Sequence, residues 1–261
     1  PYTLGAMNNL GRAYLQLAQL DADAGIPVSP TDTRIREAIR LFEAINKAAP
    51  AKFPETHPIR IAYEEILAEA YLRGGQLAKA IAQYEKVRMR FAEIYGLDHA
   101  KMRILLNNMA EAYRVSGNST KAIAYFQDIY DLDRKDPARG PNHADTVTAA
   151  NNVATTLVIA GDADKALPIF EDAARGVVRL QYRHDAAINI FSNLGDIYEK
   201  RKDYAKAEPH RRNFVICAKQ EQGADAPIHP TALTKLGMNL IEQKKWSEAV
   251  VPLRESVTRR E

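Results

Sequence analysis

The sequence predicts an all-α protein, a right-handed α-solenoid of six helical hairpins, and two series of small residues carry this prediction. In the first series, a glycine or alanine precedes an aromatic residue or leucine by three positions; its members are Gly11, Ala68, Ala110, Ala154, Gly195 and Gly237. The second series is always alanine: Ala38, Ala80, Ala122, Ala166, Ala207 and Ala249. The two series lie 12 residues apart in five of the six repeats, which indicates a repeat architecture.

Each repeat is expected to contain two helices, A and then B, with one small residue in each. A small residue lets two helices approach closely, and the larger residue three positions later fills the space beside the contact on the same face. Between the two series lie turn residues: Gly74-Gly75, Gly117-Asn118, Gly161-Asp162, Lys202-Asp203 and Lys244-Lys245. One hairpin cannot bury its apolar face alone, so neighbouring repeats must stack to form the core.

We expect one superhelical domain over residues 1–261. The predicted repeats cover about 1–50, 57–95, 99–136, 143–180, 184–221 and 229–261. In the first repeat the two small residues are 27 positions apart, which predicts an insert at about 19–33 between helices A and B. Prolines follow the B-helix alanine by two or three residues at Pro168, Pro209 and Pro252. Their recurrence favours helices that bend near their starts over helices that end there.

Composition argues against several classes of protein. Hydrophobic residues make up 46% and charged residues 26% of the chain, as in globular proteins. No apolar run approaches 18 residues, so no membrane contact is expected from this segment. The single cysteine, Cys217, excludes an internal disulfide and a four-cysteine zinc site. No phosphate-binding loop, nucleophile elbow or zinc-protease motif occurs, so we expect neither catalysis nor a cofactor. The chain begins at Pro1 rather than methionine, which indicates a segment of a longer protein.

The histidines follow the repeat, which argues against a metal site. Four of them precede a first-series small residue by 11 positions: His57, His99, His143 and His184. They are therefore expected at equivalent loop positions about one repeat apart, whereas a metal needs its ligands around one centre. We expect them, and the His229-Pro230 pair, to mark the starts of A helices. The acidic pattern at Asp21 and Asp23 lacks the later glutamate of a calcium loop.

Several segments resemble tetratricopeptide repeats. The strings that carry the resemblance are MNNLGRAY, LNNMAEAY, ANNVATTL and SNLGDIY; the second is followed by GNSTKAIAYF and the third by GDADKALPIF. The long period resembles the subclass found in kinesin light chains, and DYAKAEPHRR through QKKWSEAVVPLRE resembles the C-terminal repeats of some bacterial Ser/Thr protein kinases. This resemblance implies that the A helices line a concave surface on which asparagines hold an extended peptide.

Placed at 100° per residue, helix A of repeat 3 puts Asn107, Asn108 and Glu111 opposite its buried side. The predicted peptide-binding set is Asn8, Arg12, Asn107, Asn108, Glu111, Asn151, Asn152, Asn193, Asp196 and Asn239. An asparagine amide offers donors and an acceptor, so it can match a peptide backbone without reading its sequence. The alternative is that these asparagines bond to neighbouring helices as part of the scaffold.

The sequence thus predicts a cytoplasmic protein-interaction scaffold whose partner is a protein or peptide. The alternative is the regulatory C-terminal part of a larger signalling enzyme, such as a bacterial Ser/Thr protein kinase. Nucleic-acid binding through the basic stretch 201–212 is a third, less favoured interpretation. An apolar stripe in the last helix, formed by Val250, Leu253 and Val257, allows self-association through the terminal repeats.

Overall fold

The computed structural model describes residues 3–96, 99–181, 183–222 and 228–258. Within these residues it contains twelve α-helices, one short 3₁₀ turn and no strand. The helices are α1 (Leu4–Asp23), α2 (Thr33–Ala48), α3 (Pro58–Arg73), α4 (Leu77–Tyr95), α5 (Ala100–Val115), α6 (Ser119–Lys135), α7 (Ala144–Ile159), α8 (Ala163–Arg179), α9 (Ala187–Lys200), α10 (Tyr204–Gln222), α11 (Ile228–Glu242) and α12 (Trp246–Thr258). Odd-numbered helices are the predicted A helices and even-numbered ones the B helices, so the predicted fold class is confirmed.

The chain divides into two compact units, residues 1–125 and 126–261, with the boundary inside α6. In the first unit, α1 packs on α2, α2 on α3, α3 on α4 and α4 on α5. In the second, the same succession runs without a break from α7 to α12. Helices α2, α4, α8 and α10 therefore each pack both on their own A helix and on the A helix of the following repeat.

The small residues lie where the helices approach most closely. Ala68, Ala110 and Ala122 are completely buried. A Cβ atom added to Gly11 would lie 2.6 Å from the ring of Phe42, well inside van der Waals contact. The missing side-chain volume thus sets the separation of the helices in each hairpin.

The turns between A and B helices also agree with the sequence. A residue with positive φ occurs in five of them: Gly75, Gly117, Gly161, Lys202 and Lys244. Glycine adopts this left-handed conformation without a steric penalty. The two lysines adopt it at φ 61°, so the turn geometry is kept in the last two repeats without glycine.

Histidine caps begin several A helices, as predicted. The Nδ1 atoms of His57, His99 and His143 each accept a hydrogen bond from the backbone N–H two residues later, at 3.2 Å. His184 accepts one from Ala186 at 3.0 Å. His229 differs, because α11 begins at Ile228 and His229 lies buried in its first turn. It precedes Gly237 by eight residues rather than 11, which explains its different position.

The insert in the first repeat is not wholly irregular. Helix α1 continues to Asp23, so the first third of the predicted insert is helical, and the loop spans only residues 24–32. Arg34 anchors this loop through ion pairs to Asp21 at 2.6 Å and Asp32 at 2.8 Å. The three prolines lie inside α8, α10 and α12, as expected.

Overpacking a small position should destabilise the protein. Replacing the fully buried Ala68 by leucine is expected to lower the free energy of unfolding by about 1–3 kcal/mol, because the neighbouring helix must move. Ala62→Leu on the exposed face of the same helix is the matched control and should change it little. Urea unfolding measures both, and equal stability of the two variants would contradict the close-contact assignment.

Candidate functional site

The predicted peptide-binding residues fall into both compact units. Asn8, Arg12, Asn107, Asn108 and Glu111 belong to the first unit, on α1 and α5. Of these, Arg12 and Asn107 are exposed and the other three are half-buried. The carboxylate of Glu111 accepts two hydrogen bonds from Arg114, at 2.7 and 2.6 Å. Glu111 therefore presents a carboxylate whose charge is already balanced within its own helix.

Arg12 lines a small cleft between the A helices α1 and α3. The cleft has a volume of about 90 Å³. Its walls are formed by Arg12, Leu15, Gln16, Ile66, Glu69 and Arg73. Arg73 is tied to Glu69 at 2.8 Å and to the amide oxygen of Gln19 at 2.8 Å. The cleft thus combines charges of both signs, held in place by these contacts, on the surface that the sequence assigns to ligand binding.

In the second unit, α7 carries Asn151 and Asn152, and the adjacent α9 carries Asn193 and Asp196. All four are half-buried. Asn193 donates to the backbone oxygen of Asn189 in its own helix at 2.9 Å. Asn151 behaves differently: its Oδ1 atom is shielded from solvent and has no hydrogen-bond partner among the described residues.

Thr155, one turn after Asn151, has the same property. Its Oγ1 atom is also shielded and without a partner among the residues described. Residues four apart lie on one face of a helix, so two unsatisfied polar atoms face the same side of α7. Shielded polar atoms in folded proteins usually have partners, and a bound ligand is one way to supply them.

Asn239 does not lie with the other predicted residues. It occupies the position two residues after the A-helix small residue, where α3, α5 and α7 have Ala70, Ala112 and Thr156, all buried. Only 1% of Asn239 is exposed. Its amide donates to Glu199 at 2.9 Å and accepts from Gln243 at 2.8 Å. The sequence assignment of Asn239 to an open surface is therefore corrected: it is a scaffold residue.

A buried arginine organises the face that includes Asp196. Arg211 on α10 is completely buried and occupies the position that is Phe42, Tyr84, Phe126 and Phe170 in four other B helices. Its guanidinium donates to Asp196 at 2.5 Å, to Glu199 and to the backbone oxygen of Ser192 at 3.1 Å. A Cβ atom on Gly195 would lie 2.5 Å from the Cζ atom of Arg211, so only glycine leaves room for it.

Asp196 is also paired with Lys235 of α11, at 2.9 Å. Burial acts to raise the pKa of Asp196, but hydrogen bonds from Arg211 and Lys235 outweigh it and the pKa is lowered. Asp196 is thus an ionised group held by two cations on two helices. Sequence analysis missed this cluster, although an arginine in an aromatic position of the repeat is a visible signal.

A second missed feature links consecutive repeats. The hydroxyl groups of Tyr71 and Tyr113 donate to Glu43 at 2.7 Å and Glu85 at 2.9 Å in the preceding B helix, and Tyr198 donates to Glu171 in the same way. A lysine lies over each tyrosine ring, 4.7 to 5.8 Å from its centroid. This link can be seen in the sequence, because tyrosine and glutamate occur together. Where leucine replaces the tyrosine, at Leu157 and Leu240, the glutamate is also replaced, by Gln127 and Arg212 respectively.

The basic stretch 201–212 is largely neutralised. Arg201 pairs with Asp164, Lys206 with Asp203 at 3.0 Å, and Arg212 with Glu208 at 2.8 Å, while Arg211 is buried. These ion pairs reduce the positive charge that the stretch presents to solvent. No three His, Cys, Asp or Glu side chains of the described segments are grouped to hold a metal ion. Among these same residues, no helix has the length and apolar character needed to cross a bilayer.

These features define the class of the protein: a repeat protein built of helical hairpins, each with an A helix and a B helix. A tetratricopeptide repeat profile matches residues 59–135 and 185–261, which together are more than half of the chain. The protein therefore belongs to the tetratricopeptide repeat family, in which the fold typically serves as a protein-interaction scaffold rather than as an enzyme. No protein with a curated description matches the chain.

Solved structures share the fold at low sequence identity. BtubC (BKLC) from P. vanneervenii is 17% identical, with a TM-score of 0.69 over 88% of this chain and 92% of that one. The apo form of RapI is 14% identical, with a TM-score of 0.70 over 98% and 76%. The kinesin light chain-like repeats of Podosopora anserina are 16% identical, with a TM-score of 0.52 over 97% and 96%. The predicted likeness to kinesin light chain-type repeats is confirmed.

Removing the buried guanidinium of Arg211 should lower the stability of the protein. Arg211→Met is expected to lower the free energy of unfolding by about 2–3 kcal/mol, because Asp196 and Glu199 lose their cation while staying partly shielded. The pKa of Asp196 should rise, since its main hydrogen-bond donor is gone. Urea unfolding and carboxyl NMR titration measure the two effects.

The matched control is the triple variant Arg211→Met, Asp196→Asn, Glu199→Gln, which removes the charges together. Most of the lost stability should return, because the buried cation and its two carboxylate partners are removed together, and Lys235, which loses Asp196, is one-third exposed and reaches water. A triple variant as unstable as the single one would contradict the role given to this ion cluster.

Proposed function

We propose that this protein is a scaffold that holds an extended segment of a partner polypeptide on the surfaces of its A helices. Membership of the tetratricopeptide repeat family supports a protein-interaction role in general. The finer proposal concerns where the partner lies and how it is held. Asparagines and a threonine on consecutive A helices would exchange hydrogen bonds with the partner's backbone, so that binding depends little on the partner's sequence.

The observation that carries this proposal is the pair of unsatisfied atoms on α7. Asn151 Oδ1 and Thr155 Oγ1 are shielded from water and lack partners among the described residues. An unsatisfied buried polar atom costs about 1–3 kcal/mol, a penalty that a peptide N–H would remove if a side-chain rotation on binding turned the oxygen toward the peptide. The sequence selected Asn151 by its helix position and by the family resemblance, and its unsatisfied oxygen is a separate reason to propose it.

The proposed contacts are those predicted residues that are exposed or half-buried rather than fully buried. They are Asn8, Arg12, Asn107, Asn108, Glu111, Asn151, Asn152, Asn193 and Asp196, with Thr155 added. Asp196 is already paired with Arg211 and Lys235, so it would help to orient the partner segment more than to attract it by charge. Asn239 is left out, because it is buried. A single continuous surface over residues 1–261 stays a prediction.

The same surfaces would also serve a regulatory part of a larger signalling enzyme. In that case the catalytic site lies in another domain, and this segment contributes recognition only. The resemblance of residues 203–255 to bacterial kinase tails is the observation that favours this alternative. It stays a hypothesis, as does a cytoplasmic location.

The backbone-capture proposal can be tested with peptides selected from a random displayed library against the 1–261 chain. For a selected peptide, the variant Asn107→Ala, Asn151→Ala is expected to bind about tenfold or more weakly, because a charge-neutral hydrogen bond lost at each site contributes about 0.5–1.5 kcal/mol. Isothermal titration calorimetry measures the affinity. N-methylation of the peptide backbone should weaken binding to the parent chain and have less effect on the variant.

Asn142→Ala, in the loop before α7, is the matched control and should bind like the parent chain. Circular dichroism verifies that all variants remain folded. Unchanged affinity of the double variant, in a folded protein, would remove the support for peptide capture on these helices.

We also propose that copies associate through their terminal repeats, head to tail. The residue immediately before the A-helix small residue is at most 7% exposed in five A helices, but its counterpart in α1, Leu10, is 48% exposed. In α12, Trp246 and Val250 are 60% and 49% exposed, whereas the corresponding residues of the other B helices are buried or half-buried. The B-to-A packing that recurs inside each unit would cover both surfaces if α12 of one copy met α1 of another.

Complementation of two blocked copies tests this association. Leu10→Glu and Val250→Glu should each be monomeric alone at concentrations where the parent chain forms larger species, because a charge is placed in the apolar contact. An equimolar mixture should form a dimer and nothing larger, since each copy keeps one working end. Light scattering after size exclusion measures the masses.

Ile104→Glu, at an equally exposed apolar residue of α5, is the control and should associate like the parent. A parent chain that stays monomeric, or two blocked variants that fail to pair, would exclude the head-to-tail contact.

A further inference from the structure

A cleft of about 500 Å³ opens in the second unit between α8, α9 and α10, on the side of the B helices. Its lining residues are Glu171, Ala174, Arg175, Val178, Arg179, Phe191, His210 and Asn213. All are described residues of one unit, and none belongs to the predicted peptide-binding set. The volume is within the range of small-ligand pockets.

The cleft exists because a large side chain is missing. Ala174 lies eight residues after the B-helix small residue, where other repeats have Asn46, Arg88, Tyr130 and Val215. Asn46 fills this place in repeat 1 by reaching the backbone oxygen of Tyr63, in the next A helix, at 2.9 Å. Tyr130 fills it in repeat 3 by donating to Asp172 at 2.8 Å. In repeat 4 the methyl group of Ala174 is too short to make a contact like those of Asn46 and Tyr130, so the space between the helices stays open.

The wall of the cleft is aromatic. Phe191 is fully buried beneath it, and the His210 ring stacks on Tyr198 at 5.6 Å with an interplanar angle of 2°. Phe191 and His210 lie 6.2 Å apart, at 25°. Val178, nearly half exposed, adds an aliphatic edge. A planar ring is the shape that such a wall accommodates, because offset stacking and edge contacts both become available.

His210 is also an incomplete polar group. Its Nδ1 atom is shielded and without a hydrogen-bond partner among the described residues. Burial lowers the pKa of His210, so the imidazole is neutral at physiological pH and does not repel a nearby cation or attract an anion by its own charge. Recognition of charge at this cleft must therefore come from the residues at its mouth.

Among the described residues that line the mouth of the cleft, Arg179 is the cation available to a ligand. Arg175 is paired with Asp172 at 2.9 Å, and Glu171 accepts a hydrogen bond from Tyr198. Arg179, exposed on the last turn of α8, makes no ion pair with any residue in the described segments. A guanidinium suits a carboxylate because it can donate two parallel hydrogen bonds.

We propose that this cleft binds an aromatic ring that carries a carboxylate a few bonds away, with the ring between Val178 and the Phe191–His210 wall and the carboxylate on Arg179. Two sources share this chemistry: the C-terminal aromatic residue of a polypeptide and a free arylalkanoic acid. The site is separate from the A-helix surfaces, so it stands or falls independently of peptide capture there.

Three probes on the 1–261 chain test the chemistry, with binding followed by NMR shifts of the His210 ring protons. N-acetyl-L-phenylalanine represents a polypeptide C-terminus and 3-phenylpropanoate a free acid; at least one should bind saturably. N-acetyl-L-phenylalaninamide keeps the ring but lacks the carboxylate, and it should bind about tenfold more weakly. The stronger of the two acids identifies the source.

Two variants then test the location. Ala174→Tyr introduces the residue that repeat 3 has at this place and should abolish binding by filling the cleft, while Arg179→Gln should reduce the affinity of the acid to that of the amide. Arg36→Gln, at an exposed arginine of α2, is the matched control and should bind like the parent. Thermal unfolding verifies that each variant is folded.

The proposal is overturned by any of three results: no saturable binding of either acid, equal affinity for acid and amide, or undiminished binding by folded Ala174→Tyr. If Ala174→Tyr does not fold, Val178→Lys offers a second way to obstruct the cleft from its exposed edge, and undiminished binding by that variant has the same meaning.

Discussion

Close approach of helices at positions without side-chain volume is the constraint on which this structure depends. Ala68, Ala110 and Ala122 are fully buried, and Gly11 lies against a phenylalanine ring that leaves no room for a methyl group. Interiors packed to this density transmit any added volume to neighbouring helices. Because the constraint recurs once per helix, it fixes how B helices meet the A helices packed against them within each unit.

Once that spacing is kept, the remaining positions can vary, and their variation creates the sites. Arg211 replaces an aromatic residue of the repeat and brings ion pairs into a position that is otherwise apolar. Ala174 replaces a bridging side chain and leaves a cleft. Both changes are tolerated because a repeat protein is stabilised mainly by contacts between neighbours, so an irregular repeat disturbs little beyond its own surroundings.

Polar bridges complement the apolar contacts between repeats. The bonds from Tyr71 and Tyr113 to the preceding B helix join two helices whose separation the small residues have already fixed. Such bonds add specificity of register, because a hydroxyl and a carboxylate must meet at hydrogen-bond distance. Where a repeat has leucine instead, apolar packing alone serves, which explains how the chain accommodates Leu157 and Leu240 at the same position.

The sequence by itself determined the fold class, the hairpins and the histidine caps, because these follow from periodic residue types and local backbone chemistry. Only the tertiary structure decided that Asn239 is buried and that Asp196 is held by Arg211 and Lys235. The reason is physical: helical periodicity gives the direction of a side chain, whereas its partners come from helices distant in sequence, whose identity appears only when they pack.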